Sequence, residues 1–299
     1  MQVVKGMFGA CLMALLLAGA AFASVEEFDD DDGGFRLFVL FDPGADPAAR
    51  QRELARAEEA AVSGNARAQY ALGTLYRLGM RHPARLVERD DEQAERYLSN
   101  AAVRGHTGAM AGMAELKLRR REYLDAMVWA QAYVRYEAYE SELRGQERGT
   151  QAAAASMIQR AQAGAGRDKD EVLAYVLAFL QNHDGRIRAA IDAEHARVSD
   201  LQYTSSRTRP LFLTNTPLRA SHRRMSQPGM AYYLVEVGRD GHIARLLVVD
   251  SLPDERYARQ LEAVARGMRF NADPDAGEVR RAIMPLSFDD GSVSISRGR

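Results

Sequence analysis

The stretch Ala60-Ala61-Val62-Ser63-Gly64-Asn65-Ala66-Arg67-Ala68 returns as Ala101-Ala102-Val103-Arg104-Gly105-His106-Thr107-Gly108-Ala109. Gly64 falls on Gly105 and Ala68 on Ala109, each 41 residues on, and Leu72 falls on Met113, Gly73 on Ala114 and Leu75 on Leu116. A repeat of this length is one supersecondary unit that cannot bury its own apolar face, so the sequence predicts a stacked helical solenoid. Ala68, Leu72, Leu75 and Tyr76 share one helix face, and Ala94, Tyr97, Ala101 and Ala102 share another. Alanine at these points lets helices approach closely. Leu72, Tyr76 and Tyr97 are then expected to fill the space between layers, with both tyrosines largely buried. Gly64 and Gly105 follow Ala-Ala helix ends, where a residue tolerant of positive φ terminates a helix. Asp91, three residues before Ala94, is expected to cap the incoming helix.

The run from Ala60 to Tyr76 resembles a Sel1-like repeat, and so does Asp91-x-x-Ala94-x-x-Tyr97-x-x-x-Ala101-Ala102-x-x-Gly105. A third, partial copy is Asp125-Ala126-x-x-Trp129-Ala130-x-Ala132, with Trp129 where Tyr97 stood. The resemblance implies helix-turn-helix repeats related to tetratricopeptide arrays, and protein–protein binding rather than catalysis. The second copy is degraded, with Gly112-Met113-Ala114 in place of Ala71-Leu72-Gly73.

The chain has 299 residues and a formal net charge of −1, enough for one to three domains with an ample core. That charge supplies no overall drive towards nucleic acid or an anionic membrane. Residues 1–23 read as a secretory signal peptide: Lys5, an apolar run from Gly6, and Ala21-Phe22-Ala23 as the cleavage site. The alternative is an uncleaved inner-membrane anchor, since residues 6–25 just suffice to span a bilayer. Cys11 is the only cysteine and lies inside this run, so a cleaved chain forms no disulfide and holds no cysteine–metal site. Residues 24–47 form an acidic segment with Asp29 to Asp32 in a row, read as solvated, a calcium site being the other reading. Within it Phe35 to Phe41 is apolar enough for a short strand or for an arm packing on the first helix.

The helical repeat domain is expected over 48–200, with helices at Tyr123 to Leu143 and Thr150 to Ala163. A further apolar face through Val172, Tyr175, Val176, Phe179 and Leu180 is interrupted at Asp184-Gly185 and resumed by Ile187, Ile191 and Val198. His195 beside Glu194 and Asp192 reads as exposed helix charge, with metal binding as the alternative. Residues 201–229 form a basic linker broken by Pro210, Pro217 and Pro228, with a short extended segment at Leu211-Phe212-Leu213. The linker is either solvated or in contact with anionic lipid or the acidic tract.

From 230 to 290 the period changes to two. Tyr233, Val235 and Val237 alternate with Tyr232, Leu234 and Glu236; Asp240-Gly241 turns the chain; and Ile243 to Val249 returns. Pro253-Asp254 opens a helix with Tyr257, Leu261, Val264 and Ala265 on its apolar face, and Val279 to Phe288 is a third strand. The fold class is therefore α+β, a helical solenoid followed by a small ββαβ domain with an antiparallel three-stranded sheet. This segment resembles the carboxy-terminal domain of TonB-family energy transducers in Leu261-Glu262-Ala263-Val264, in Met268-Arg269-Phe270, and in Pro285-Leu286-Ser287-Phe288. The resemblance implies contact with outer-membrane receptors by strand pairing. If the strand order follows that family, the last strand is an open edge, and Val279, Arg280, Arg281, Ala282, Ile283 and Met284 are the expected partner-binding residues, for a receptor or a second copy in a homodimer. The family's Tyr-Pro-x-x-Ala entry motif and long Pro-rich span are absent, and the amino-terminal apolar run carries no ionisable group to couple to a proton-driven motor.

Six scattered histidines, with no phosphate-cradling glycine loop, Ser-His-Asp arrangement or H-E-x-x-H, leave no catalytic, metal or cofactor residues to name. The expected function is a periplasmic adaptor acting on a protein partner in the cell envelope. The alternative is a divergent transducer held in the inner membrane.

Overall fold

The structure is a computed structural model, and it describes residues 23–27, 34–144, 146–147, 151–166, 169–204, 211–213, 228–272, 279–289, 292–295 and 297–298. Residues 1–22 of the expected signal segment, with Cys11, the Asp29 to Asp32 run, residues 273–278, and the linker apart from 201–204, 211–213 and 228–229 lie outside the described residues. Among the described residues the fold is mixed, with helices in the amino-terminal two thirds and an antiparallel sheet towards the carboxy terminus.

The helices are α1 (Leu37–Leu40), α2 (Pro47–Val62), α3 (Ala66–Leu78), α4 (Asp91–Ala102), α5 (Thr107–Arg119), α6 (Tyr123–Leu143), α7 (Gln151–Ala165) and α8 (Lys169–Thr204). Side chains ending the preceding loops start them. Asp46 accepts from Ala49 N–H ahead of Pro47, and Asn65 accepts from Ala68 N–H at 3.0 Å. His106 takes the same role 41 residues after Asn65, its Nδ1 accepting from Ala109 N–H at 3.3 Å. Gly64 and Gly105 have φ of +91° and +85°, so both repeat loops use the left-handed turn that a glycine permits. The cap of α4 is Asp90 rather than Asp91: Asp90 is extended and accepts from Glu92 and Gln93 N–H. Asp91 is already helical, one place too late to cap, and its carboxylate pairs with Arg89 and Arg119 instead.

Ala68, Leu72, Ala94, Ala101, Ala102 and Ala126 are fully buried. Gly73 lets α3 and α4 approach closely, since a Cβ there would lie 2.6 Å from Leu98 Cγ. Trp129 is buried edge-on against Phe179, ring centroids 5.1 Å apart. Tyr76 and Tyr97 are half-buried rather than deeply buried. Their rings stack 5.9 Å apart on the outer seam between α3 and α4, with the Arg96 guanidinium over Tyr97. The break expected at Asp184-Gly185 does not occur, and α8 runs through it. Asp184 is held by Arg135 at 2.9 Å, Tyr136 at 3.0 Å and Arg188 at 3.1 Å, which offsets the roughly 1 kcal/mol helix penalty of Gly185. Phe35 to Phe41 is an arm on α2, but it takes a helical turn rather than a strand. Phe35, Leu37, Phe38, Leu40 and Phe41 are buried there, and Arg36 clasps the buried Glu53 through its backbone N–H and guanidinium.

The strands are β1 (Ala23–Glu27), β2 (Gln146–Glu147), β3 (Leu211–Leu213), β4 (Gly229–Gly238), β5 (Ile243–Leu252), β6 (Val279–Asp289), β7 (Ser292–Ile295) and β8 (Arg297–Gly298), with α9 (Arg256–Gly267) between β5 and β6. The three long strands β5, β4 and β6 are antiparallel, and β2 and β8 form a separate pair. Alternation divides the sheet into two faces. Tyr233, Val235, Leu246, Ala282 and Met284 pack with Leu261, Val264 and Phe270 on the side of α9. Met230, Leu234, Leu247, Val249 and Leu252 join the core of the helical region on the other.

The edge expected to be open at β6 is covered over part of its length. β4 pairs with it from Val279 to Phe288, while β1 pairs at Ala282 and Ile283 and β7 from Leu286 to Asp289 on the opposite side. Alternation along β6 announces its two faces but not which remote segment reaches its border. β5 borders the sheet instead, and its register skips Ala244 and Val249, bulges of the kind that blunt exposed edges. No helix of the described residues is long and apolar enough to cross a membrane.

Candidate functional site

The helices and the sheet meet around one buried carboxylate. Tyr232 pairs with Asp250 and Tyr233 with Val248, so Val249 has no partner on β4. The extra residue breaks alternation and turns both Val249 and Asp250 towards the helices. Asp250 then forms an ion pair with Arg77 of α3, both side chains wholly excluded from solvent. It also accepts from Tyr70 Oη at 2.9 Å and lies 3.4 Å from Thr74 Oγ1. Arg77 Nη2 donates to Ser251 O at 3.1 Å as well. Tyr70, Thr74 and Arg77 stand on one face of α3, at i, i+4 and i+7. Burial, and then the Asp250 charge, push the Tyr70 hydroxyl well above its ordinary pKa, so it stays a donor.

The bulge also leaves the Val249 carbonyl free of the ladder. His82, in the connection from α3 to α4, lies with Nε2 3.1 Å from that oxygen, while its Nδ1 accepts from Ala84 N–H at 3.0 Å. The tautomer is therefore the one with the proton on Nε2. Burial lowers the His82 pKa to about 4, so the ring is neutral. Arg245 adds a contact from β5 to α1, donating to the Phe38 carbonyl and pairing with Asp42 just beyond the helix.

Beside this junction lies a cleft of about 660 Å³. The two repeat loops at Gly64 and Gly105 form one wall, α6 and α8 another, and β4, β5 and β6 the base. Its floor is aromatic and apolar, with Tyr70, Tyr133, Tyr232, Val249, Ile283 and Pro285. Tyr70 stacks on His106 at 4.1 Å and meets Tyr232 edge-on at 6.4 Å. The rim is charged. Arg144 pairs with Glu140 at 2.8 Å, and Thr107 Oγ1 donates to the same carboxylate. Arg197 pairs with Glu194 at 2.7 Å and holds its carboxyl below the usual range, with Arg67 3.8 Å away. Arg104 completes the rim.

The repeat-defining residues hold the helices together and are not on the cleft floor; of them only Gly64 and Gly105 line it. The six residues singled out on β6 are dispersed by the pleat. Val279 is exposed, Arg280 is buried and donates to Asn271 O, and Arg281 reaches Glu236. Ala282 and Met284 lie under α9, and Ile283 alone enters the cleft. His195 and Glu194 line the cleft, while Asp192 turns to Tyr139 Oη at 2.6 Å. Among the described residues no three His, Cys, Asp or Glu side chains gather as metal ligands do.

Sequence reasoning missed the Tyr70–Arg77–Asp250 junction. Its one legible signal is Asp250 at the end of the apolar run Leu246-Leu247-Val248-Val249, a charge where a buried strand has none. His82, Arg104 and Tyr133 carry no such mark. Against this geometry, no family model, curated protein or solved structure matches the chain.

Proposed function

We propose that the chain is an exported periplasmic adaptor that works by protein contact, with the cleft as the contact site. In this reading the helical region is a solenoid of Sel1-like repeats. The equivalent loops at Gly64 and Gly105, each with positive φ and each followed by a side-chain cap, support it. The order β4, β5, α9, β6 supports a ββαβ module like the carboxy-terminal domain of TonB-family transducers. The observation that carries the reading is the junction. The buried Arg77–Asp250 pair fixes the sheet against the repeats, and their meeting line opens into a preformed cleft. Binding sites favour such lines between structural units. The cleft's charged groups are engaged mainly with one another, an arrangement suited to recognition.

Cell fractionation with amino-terminal sequencing tests the location. The adaptor is expected in the soluble periplasm, beginning at Ser24. Full-length protein in the inner membrane overturns that location and favours an anchored transducer. Affinity capture from the envelope fraction tests the function: wild type should recover a protein that Ile283→Arg, which brings charge to the half-buried cleft floor, does not.

A further inference from the structure

We propose that the cleft receives the carboxy terminus of a partner protein, with the terminal carboxylate on Arg104 and the last side chain, apolar or aromatic, on the tyrosine floor. This rests on the protein-contact reading above and adds the chemistry of the partner.

Of the cations on the rim, Arg67 faces Glu194, Arg144 pairs with Glu140 and Arg197 pairs with Glu194. No carboxylate among the described residues pairs with Arg104, whose hydrogen bond goes to the Asn100 carbonyl at 3.3 Å. Its guanidinium lies against the first repeat loop, since a Cβ at Gly64 would come 3.4 Å from Nε and 3.5 Å from Nη2. The glycine that φ of +91° favours thus also gives this guanidinium its room. A planar guanidinium binds carboxylate through two parallel hydrogen bonds, stronger than neutral ones.

The remaining lining selects what carries that carboxylate. A cavity of about 660 Å³ is the size that takes a few residues of peptide. Tyr70 and Tyr133 are buried beneath its base, and the half-buried Tyr232 and Ile283 offer ring and aliphatic surface to an apolar side chain. Glu137, Glu140 and Glu194 share the rim. They repel an internal acidic run, which would bring several carboxylates at once. One negative charge attached directly beside one apolar side chain is the chemistry of a chain end.

The test uses the purified full chain and two labelled hexapeptides of the sequence Gly-Ser-Gly-Ser-Ala-Phe, one ending as the free acid and one as the amide, read by fluorescence anisotropy. The free acid should bind at least about tenfold more tightly than the amide, the worth of one charge-assisted contact. Arg104→Gln should bring the free acid down to the level of the amide, and Arg104→Lys should keep part of the difference. Equal binding of acid and amide, undiminished binding by Arg104→Gln, or binding by neither peptide overturns the proposal. Binding by neither peptide, with an envelope protein still captured through the cleft, rejects the chain-end chemistry and leaves the adaptor reading standing.

Discussion

The two repeats share a frame and differ in what they dock. Leu72 and Met113 are both buried, Gly64 and Gly105 both turn with positive φ, and Asn65 and His106 both cap the helix that follows. At position 74 of the first repeat, threonine lies near Asp250 of the sheet; at the equivalent position 115, glutamate pairs with Arg160 of α7. The first repeat joins α3 to α4 through residues 79–90, which carry His82 onto β5, whereas α5 reaches α6 through 120–122 alone. Residues common to the copies set the spacing of helices, and residues that depart from the pattern choose the neighbour.

The sharpest way to break this comparison is to remove the first repeat's neighbour. Asp250→Ala leaves Arg77 buried with its Nε and Nη1 already without hydrogen-bond partners. Uncompensated buried charge of this kind costs about 3–5 kcal/mol. Denaturant unfolding should show that loss, and the double change Arg77→Met with Asp250→Leu should recover most of it. If the double variant is no better than the single, the pair contributes more than the cancellation of two charges. Leu72→Ala tests the shared frame rather than the departure. Leu72 is wholly buried, and the substitution should cost about 2–5 kcal/mol in the same assay.

His82 belongs to the first repeat alone, and its contribution depends on pH. Burial lowers its pKa from 6.5 to about 4, so the unfolded chain takes up the proton first. The contribution is whole above about pH 6.5 and declines as pH falls towards 4, by about 1.4 kcal/mol per unit and roughly 3 kcal/mol in all. Asp250, Arg77 and Arg50 act on the ring more weakly than burial does. His82→Gln should flatten the stability profile between pH 6.5 and 4 relative to wild type. Parallel profiles would mean that the ring is hydrated in solution.

Much of this frame was legible in the residues. The spacing of Gly64 and Gly105, the strand period through Tyr233, Val235 and Val237, and the turn at Asp240-Gly241 follow from local stereochemistry, and the elements lie where those signals put them. Asp91 was misread because a cap depends on which of two adjacent aspartates is still extended. The partly covered border of β6 was illegible for a different reason, since the strand that pairs at Ala282 and Ile283 comes from the far end of the chain. The cleft was illegible too: Tyr70, Arg104, Tyr133 and Ile283 lie on four separate segments and share no local pattern. Local rules write elements, and only the assembled fold writes what faces what.

The smallest expected effect separates the two loops themselves. An alanine at Gly64 or Gly105 must adopt a positive φ, which costs roughly 1–2 kcal/mol at either position. The surroundings differ. At Gly64 the new methyl meets the Arg104 guanidinium at 3.4 Å, the movable end of a long side chain. At Gly105 it would lie 2.9 Å from Ile191 Cγ1 and 3.1 Å from the Ile191 backbone nitrogen, so α8 itself must shift. Displacing a packed helix adds about 1–3 kcal/mol. Gly105→Ala should therefore unfold at lower denaturant than Gly64→Ala, by a margin that thermal or urea melts resolve. Equal losses would show that α8 rests loosely on the second loop and that both repeats end alike. If the difference appears, Gly64→Ala becomes the milder probe of the cleft. It retains the fold while crowding Arg104, so any loss of binding reports on that guanidinium.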